Sequence, residues 1–219
     1  MSTTAPDLRI RPLGEAAVQA AVSAPLALEH QQRIWQLAAG LAQTPGLLDL
    51  TPGMNNLTLC FDPLQTDADS LAETVQALWA KPLRRQAAGQ LVEIPVRYGG
   101  DAGPDLAAVA EHCGLSADEV VRRHTAADYV VYFIGFQPGF AYMGGLDGSL
   151  HTPRRDEPRV SVPAGSVGIG GVQTGIYPLA TPGGWQLIGR TALPLFNPQA
   201  EPPTLLAPGD RVRFVAERP

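Results

Sequence analysis

VSVPAGSVGIGGVQTGIYP, residues 160–178, decides how the second half of this chain folds. Five glycines and two prolines interrupt it, and no helix survives that density, since each interior glycine costs about 1 kcal/mol and each proline about 3. What remains between the breaks is β-prone: Val160 to Val162 and Val167 to Ile169. Downstream, Trp185 to Ile188, Leu193 to Phe196 and Arg211 to Val215 read the same way, with Pro208-Gly209-Asp210 as a turn. Upstream, Tyr129 to Gly135 is an apolar β-type run. Short strands with turn signals this dense indicate a compact barrel or sandwich.

Ahead of this region the texture is helical. Asp105 is placed to cap a helix carrying Leu106, Val109, Ala110 and Cys113 and stopped by Gly114, and Ser116 with Glu119 has capping-box spacing for a second. The first part of the chain alternates strand and helix. Ala16 to Val22 reads as a strand, and Ile34, Leu37, Ala38 and Leu41 form one apolar helical face. Leu47 to Leu50, a Gly53-Met54-Asn55-Asn56 turn and Leu57 to Phe61 follow as a hairpin. Ser70 and Glu73 suggest a capping box for a helix with Leu71, Val75, Leu78 and Trp79, and Leu91 to Val96 ends the series. The order β-α-β-β-α-β predicts a ferredoxin-like lobe. The class is therefore α+β, with a lobe over residues 1–88 and a β domain, barrel or sandwich, over residues 89–219 that has two short helices near its start. Lys81 to Gly89, with a proline and two arginines, is the expected linker.

Composition excludes several functions. The chain has 219 residues, 45% of them hydrophobic, enough for real cores. Its net charge of −5 and its single lysine, Lys81, argue against a nucleic-acid surface. No stretch approaches the roughly 20 apolar residues of a membrane span, and MSTTAPDLRIR has no signal-peptide core, so the expected compartment is the cytoplasm. Cys60 and Cys113 stand apart in apolar patterns and are expected to be buried free thiols. The four histidines, His30, His112, His124 and His151, are scattered, which offers no metal site.

Conventional catalytic motifs fail one by one. Lys81 does not follow a glycine loop, so there is no Walker phosphate cradle. Gly168-Ile169-Gly170 begins like a dinucleotide fingerprint, but Gln173 occupies the third glycine's place and no helix follows. Ser166 sits in an elbow-like AGSVG, yet Gly170-Gly171 follows where an elbow needs a helix, so it reads as a turn hydroxyl. The candidates left are a cluster of loops. Arg154, Arg155 and Arg159 have planar forks suited to a carboxylate or phosphate, or else pair with Asp156, Glu157 or a partner. His151 is a candidate acid or base, and Phe136, Phe140, Tyr142 and Trp185 are candidate walls of a small pocket.

The segments GFQPGFAYMGGL, HTPRR, EPRVSVPAGSVGIGGVQTGIYPLATPGGWQLIGRT, PLFNP and PGDRVRF resemble the allophanate hydrolase subunit 1 or KipI-like family, and TPGMNNLT and YGGDAGPDL extend the likeness to nearly the whole chain. The likeness is to its 5-oxoprolinase members. It implies a cyclophilin-like C-terminal barrel and a subunit of an ATP-dependent 5-oxoprolinase, which converts 5-oxo-L-proline to L-glutamate. It further implies a subunit 2 (C-type) partner for the ATP-using step, with ATP and a divalent cation, most simply Mg, bound along with that partner, and an A-type hydrolase subunit for complete turnover. Under this resemblance His151, Arg155 and Gln173 are the catalytic candidates: a proton carrier, an anion fork and a hydrogen-bond partner of the lactam. Arg154, Arg159, Gly165, Ser166, Gly168, Gly170, Thr174, Tyr177 and Arg190 are the candidates for holding substrate or phosphate. The isolated chain is expected to be inactive. Two other readings stay open, since some relatives inhibit a sensor histidine kinase and urea carboxylase contains a related domain pair that serves a biotin-dependent carboxyltransferase.

Overall fold

A computed structural model describes residues 7–23, 25–84 and 89–217. The chain divides into two compact units, Met1–Ala87 and Ala88–Pro219. Residues 85–88 of the expected linker lie outside the described residues.

In the first unit, β1 (Leu8–Pro12) and β2 (Ala17–Val22) form a hairpin, α1 (Leu28–Leu41) crosses the sheet, β3 (Leu47–Gly53) and β4 (Asn56–Phe61) form a second hairpin, and α2 (Ala68–Trp79) ends the unit. The sheet order is β1-β2-β4-β3, antiparallel throughout. Alternation along β2 and β4 turns Ala20, Val22, Leu57 and Leu59 toward Ile34, Leu37 and Leu41 of α1 and Val75 and Trp79 of α2. Burial of each large aliphatic contributes about 1.5–3 kcal/mol, and these faces hold the unit together. Asn55 turns the β3–β4 hairpin at φ +54, a conformation its short polar side chain tolerates.

Two expectations for this unit change. Leu91 to Val96 does not close the sheet. The place of the fourth ferredoxin-like strand is taken by β1, which lies beside β2 and runs parallel to β4, so the sheet is ferredoxin-like with one edge strand drawn from the start of the chain. The helix α2 is capped by Asp67, whose side chain accepts from the N–H groups of Asp69 and Ser70, so Ser70 lies inside the helix.

The second unit is a closed barrel. Its strands are β5 (Leu91–Tyr98), β6 (Tyr129–Ile134), β7 (Ala141–Gly144), β9 (Ser166–Gly170), β10 (Gln173–Ile176), β12 (Gln186–Arg190) and β13 (Arg211–Ala216), ordered β10-β7-β6-β13-β5-β12-β9 and sealed by β9 on β10. Two further strands, β8 (Arg159–Val162) and β11 (Thr181–Gly183), pair only with each other. Leu91–Tyr98 belongs here because it pairs in parallel with β13 from Leu91↔Arg211 to Val96↔Ala216 and sends Ile94 and Val96 into the barrel core. The glycine-broken pieces β7, β10 and β11 are strands, whereas Leu193 to Phe196 is not and makes only a bridge from Phe196 to Thr204.

The helices α3 (Leu106–Cys113) and α4 (Ala117–Ala126) precede β6. Gly114 ends α3 in the left-handed conformation, and Ser116 Oγ accepts from Glu119 N at the start of α4. The Glu119 carboxylate does not complete a capping box, because it pairs with Arg122 and Arg123. Both cysteines are free thiols and half-buried, less enclosed than expected. No helix among the described residues is long and apolar enough to cross a membrane.

Candidate functional site

The turn from β6 to β7 holds Phe136 in a left-handed conformation, φ +67, with the residue 60% exposed. Such a backbone costs a non-glycine residue about 1–2 kcal/mol, so the turn aims the ring rather than burying it. Phe136 meets Phe140 edge to face at 5.4 Å, and Phe140 meets Tyr177 at 5.3 Å and Trp185 at 5.6 Å in the same manner. With Tyr142 these rings line a cleft of about 260 Å³, and Arg154 stands at its wall. Edge-to-face contacts favour this arrangement over a face-to-face stack.

The stretch of residues 160–178 packs against one of these walls, the Trp185 side chain. A Cβ at Gly168 would lie 3.2 Å from Trp185 Cβ, one at Gly170 would lie 2.5 Å from Trp185 Nε1, and one at Gly175 would lie 3.1 Å from Trp185 Cζ3. The three glycines are therefore the seat of the indole. Gly165 has a separate duty: at φ +81 its missing Cβ leaves room for the Thr191 carbonyl, which would be 2.1 Å away.

The arginines divide by partner. Arg159 Nη2 donates to Asp105 Oδ1 at 2.7 Å and Arg155 Nη1 donates to the same oxygen at 3.4 Å, while Leu187 N donates to Asp105 Oδ2 at 2.6 Å. Asp105 occupies the N-cap position of α3 but makes no side-chain cap, because charge-assisted donors from outside the helix take both oxygens. Arg159 Nη1 is buried with no hydrogen-bond partner. Arg154 makes no ion pair among the described residues; its guanidinium carbon lies 5.9 Å from the centre of the Trp185 ring, a cation–π contact at the mouth of the cleft. Burial pushes the Tyr177 and Tyr142 hydroxyls above their ordinary range, so both are neutral hydrogen-bonding groups at pH 7.

The remaining candidates lie elsewhere. Thr174 is fully buried and joins a chain of hydrogen bonds: its hydroxyl is 3.0 Å from Gly168 O and 2.9 Å from His124 Nε2, and His124 Nδ1 is 2.7 Å from the Tyr98 hydroxyl. Because the single Thr174 proton goes to Gly168 O, His124 Nε2 carries the proton between them and Tyr98 donates to Nδ1. Burial pushes His124 down to about 3, so the ring is neutral. Ser166 is buried in β9. His151 is exposed beyond a 3-10 turn, and Gln173 opens β10 with its Nε2 buried and unpaired; neither lines the aromatic cleft. Arg190 lines a different cleft and donates to Ala164 O at 3.0 Å. Asp105 and His124 were not among the sequence candidates. Nothing in the local sequence separates an aspartate that caps a helix from one that anchors arginines 50 and 54 residues away.

The first unit is a four-stranded ferredoxin-like sheet with its helices, and the cleft lies within the second, a closed cyclophilin-like barrel. The profile of the family described as carboxyltransferase domain, subdomain C and D, matches residues 8–206, and the chain belongs to that family. A protein of Escherichia coli O157:H7 named as the B-type subunit of 5-oxoprolinase is 53% identical over 94% of both chains, and one of the same name in Haemophilus influenzae is 44% identical over 96% of this chain and 98% of that one. The crystal structure of Kluyveromyces lactis urea carboxylase has the same fold at 20% identity, with a TM-score of 0.81 over all of this chain and 22% of that one.

Proposed function

We propose that this chain is the B-type subunit of an ATP-dependent 5-oxoprolinase and that its aromatic cleft receives 5-oxo-L-proline. The observation that carries the reading is Arg154, a guanidinium with no ion pair among the described residues, held against Trp185 beside a cleft of about 260 Å³ walled by aromatic rings. The substrate is a small flat lactam with one carboxylate. Its ring suits the edges of Phe140, Tyr142 and Trp185, and its carboxylate suits the planar fork. The names of the relatives in Escherichia coli and Haemophilus influenzae support the same reaction.

A five-membered lactam is a stabilised amide. Transfer of the γ-phosphoryl of ATP to the lactam oxygen, with release of ADP, would activate the ring carbon. A first water would add there and the C–N bond would break to leave γ-glutamyl phosphate, which a second water would hydrolyse to L-glutamate and phosphate. The chain's part in this is to position and to stabilise charge. Among the described residues no group of three His, Cys, Asp or Glu could hold a metal ion, and the chain has no Walker lysine. The divalent cation that accompanies ATP is proposed to be held with a subunit 2 (C-type) partner, as the resemblance implies, and an A-type hydrolase subunit completes turnover. Arg155, Gln173 and His151 remain candidates for supporting roles through that partner.

The test is ATP-dependent glutamate release by this chain with and without its two partners. Release is expected only from the complete set. Release from the isolated chain, or none from a correctly assembled set, would overturn the proposal.

A further inference from the structure

Arg97 on β5 and Arg190 on β12 are register partners in an antiparallel pair. Residues so paired project from the same face with their Cβ atoms about 5 Å apart, and like charges placed this way repel. Neither arginine makes an ion pair among the described residues, and Arg190 is steadied by its hydrogen bond to Ala164 O. Both line one cleft of about 590 Å³, more than twice the aromatic cleft in size. Pro178, Pro194 and Phe196 give it an apolar wall, and Glu217 is the acid that faces it. Among the described residues that line it, one carboxylate against two guanidiniums leaves an unbalanced positive charge.

We infer that this cleft is a second ligand site, which takes a nucleotide: the two guanidinium forks hold its phosphates, and the base or sugar lies on the Phe196 side. Two forks from adjacent strands offer parallel donors to several phosphate oxygens at once, which a single carboxylate cannot use fully. A cleft of this size with an apolar wall suits a ligand that has a ring as well as an anion. The inference rests on the proposed ATP-dependent reaction for its use, but binding itself is a property of this chain.

Calorimetric titration of the full-length chain with ATP, inorganic triphosphate, adenosine and L-glutamate tests it. ATP should bind at one site, inorganic triphosphate should compete more weakly, and adenosine and glutamate more weakly still. Arg97→Gln and Arg190→Gln should each weaken ATP on the order of tenfold, the loss of a charge-assisted contact, and Glu217→Gln should tighten it. All three side chains are exposed, so thermal unfolding should stay as in the parent. No ATP binding at millimolar concentration, ATP affinity unaltered in both arginine variants, triphosphate or adenosine as tight as ATP, or preference for glutamate would overturn the inference. Glutamate release by the assembled subunits, measured in parallel, separates the two readings. Release without binding here removes only this site, and binding here without release removes only the oxoprolinase assignment.

Discussion

Arg159 Nη2 donates to Asp105 Oδ1 at 2.7 Å across 54 residues of sequence, and the same carboxylate holds Leu187 N through its other oxygen at 2.6 Å. This joins the loop before α3 to β8 and β12, whose first residue, Gln186, directly follows Trp185.

Removing the carboxylate should therefore cost more than a helix cap. Asp105→Ala leaves a partly buried guanidinium and a buried N–H without their acceptor, and breaking such a pair costs about 3–5 kcal/mol. Asp105→Asn retains an acceptor and should lose roughly half as much. Chemical denaturation of the two variants checks the order, and equal small losses would show that the contact is incidental.

Arg154 and Arg155 should separate cleanly. Arg155 is 37% exposed and sits 3.4 Å from its acceptor, so Arg155→Lys should leave folding nearly unchanged. Arg154→Lys retains charge but loses the fork, and should lower glutamate release by the assembled subunits on the order of a hundredfold. A greater loss from Arg155→Lys, with folding and partner binding intact, would move the anion contact to Arg155.

Phe136 sets stability against use. Phe136→Gly relieves the cost of φ +67, and it gives up similar free energy through glycine's larger unfolded-state entropy. Thermal unfolding should shift by only a few degrees while affinity for 5-oxoproline falls. A large loss of stability would make this ring part of the core.

His124 gives the fold a pH dependence of known sign. Its native pKa is pushed down to about 3 by burial, against 6.5 in the unfolded chain, so below pH 6.5 the unfolded state binds the additional proton. The stability it contributes is complete above pH 6.5 and is lost as the pH falls toward 3, at up to about 1.4 kcal/mol per pH unit. Glu119, held down to about 2 by Arg122 and Arg123, titrates well below the upper part of this window. Denaturation of the parent and of His124→Gln at pH 7 and pH 5 should show the decline only in the parent.

Much of the fold was legible because local signals agreed with the tertiary outcome. The apolar faces of α1 and α2, the stop at Gly114 and the strands β6, β9 and β13 all follow from period, glycine position and β-branched content. The aromatic walls were legible as a set, and the structure gathers Phe136, Phe140, Tyr142 and Trp185 around one cleft. The partners of the arginines were not legible. Their nearest acids in sequence, Asp156 and Glu157, are passed over for Asp105, because pairing depends on where strands lie and not on how far apart residues are along the chain.

By itself the sequence determined the α+β class and the short-stranded β character of the second half, since glycine and proline at these positions forbid helix whatever the surroundings. Only the tertiary structure decided which strand completed which sheet and what the glycines were for. Leu91–Tyr98 has the same alternating pattern in either unit, and its parallel pairing with β13 settles the matter. Gly168, Gly170 and Gly175 leave equal room for a ligand or an indole, and Trp185 fills it. Long-range packing makes both choices, because the free energy that separates them lies in contacts between residues far apart in the chain.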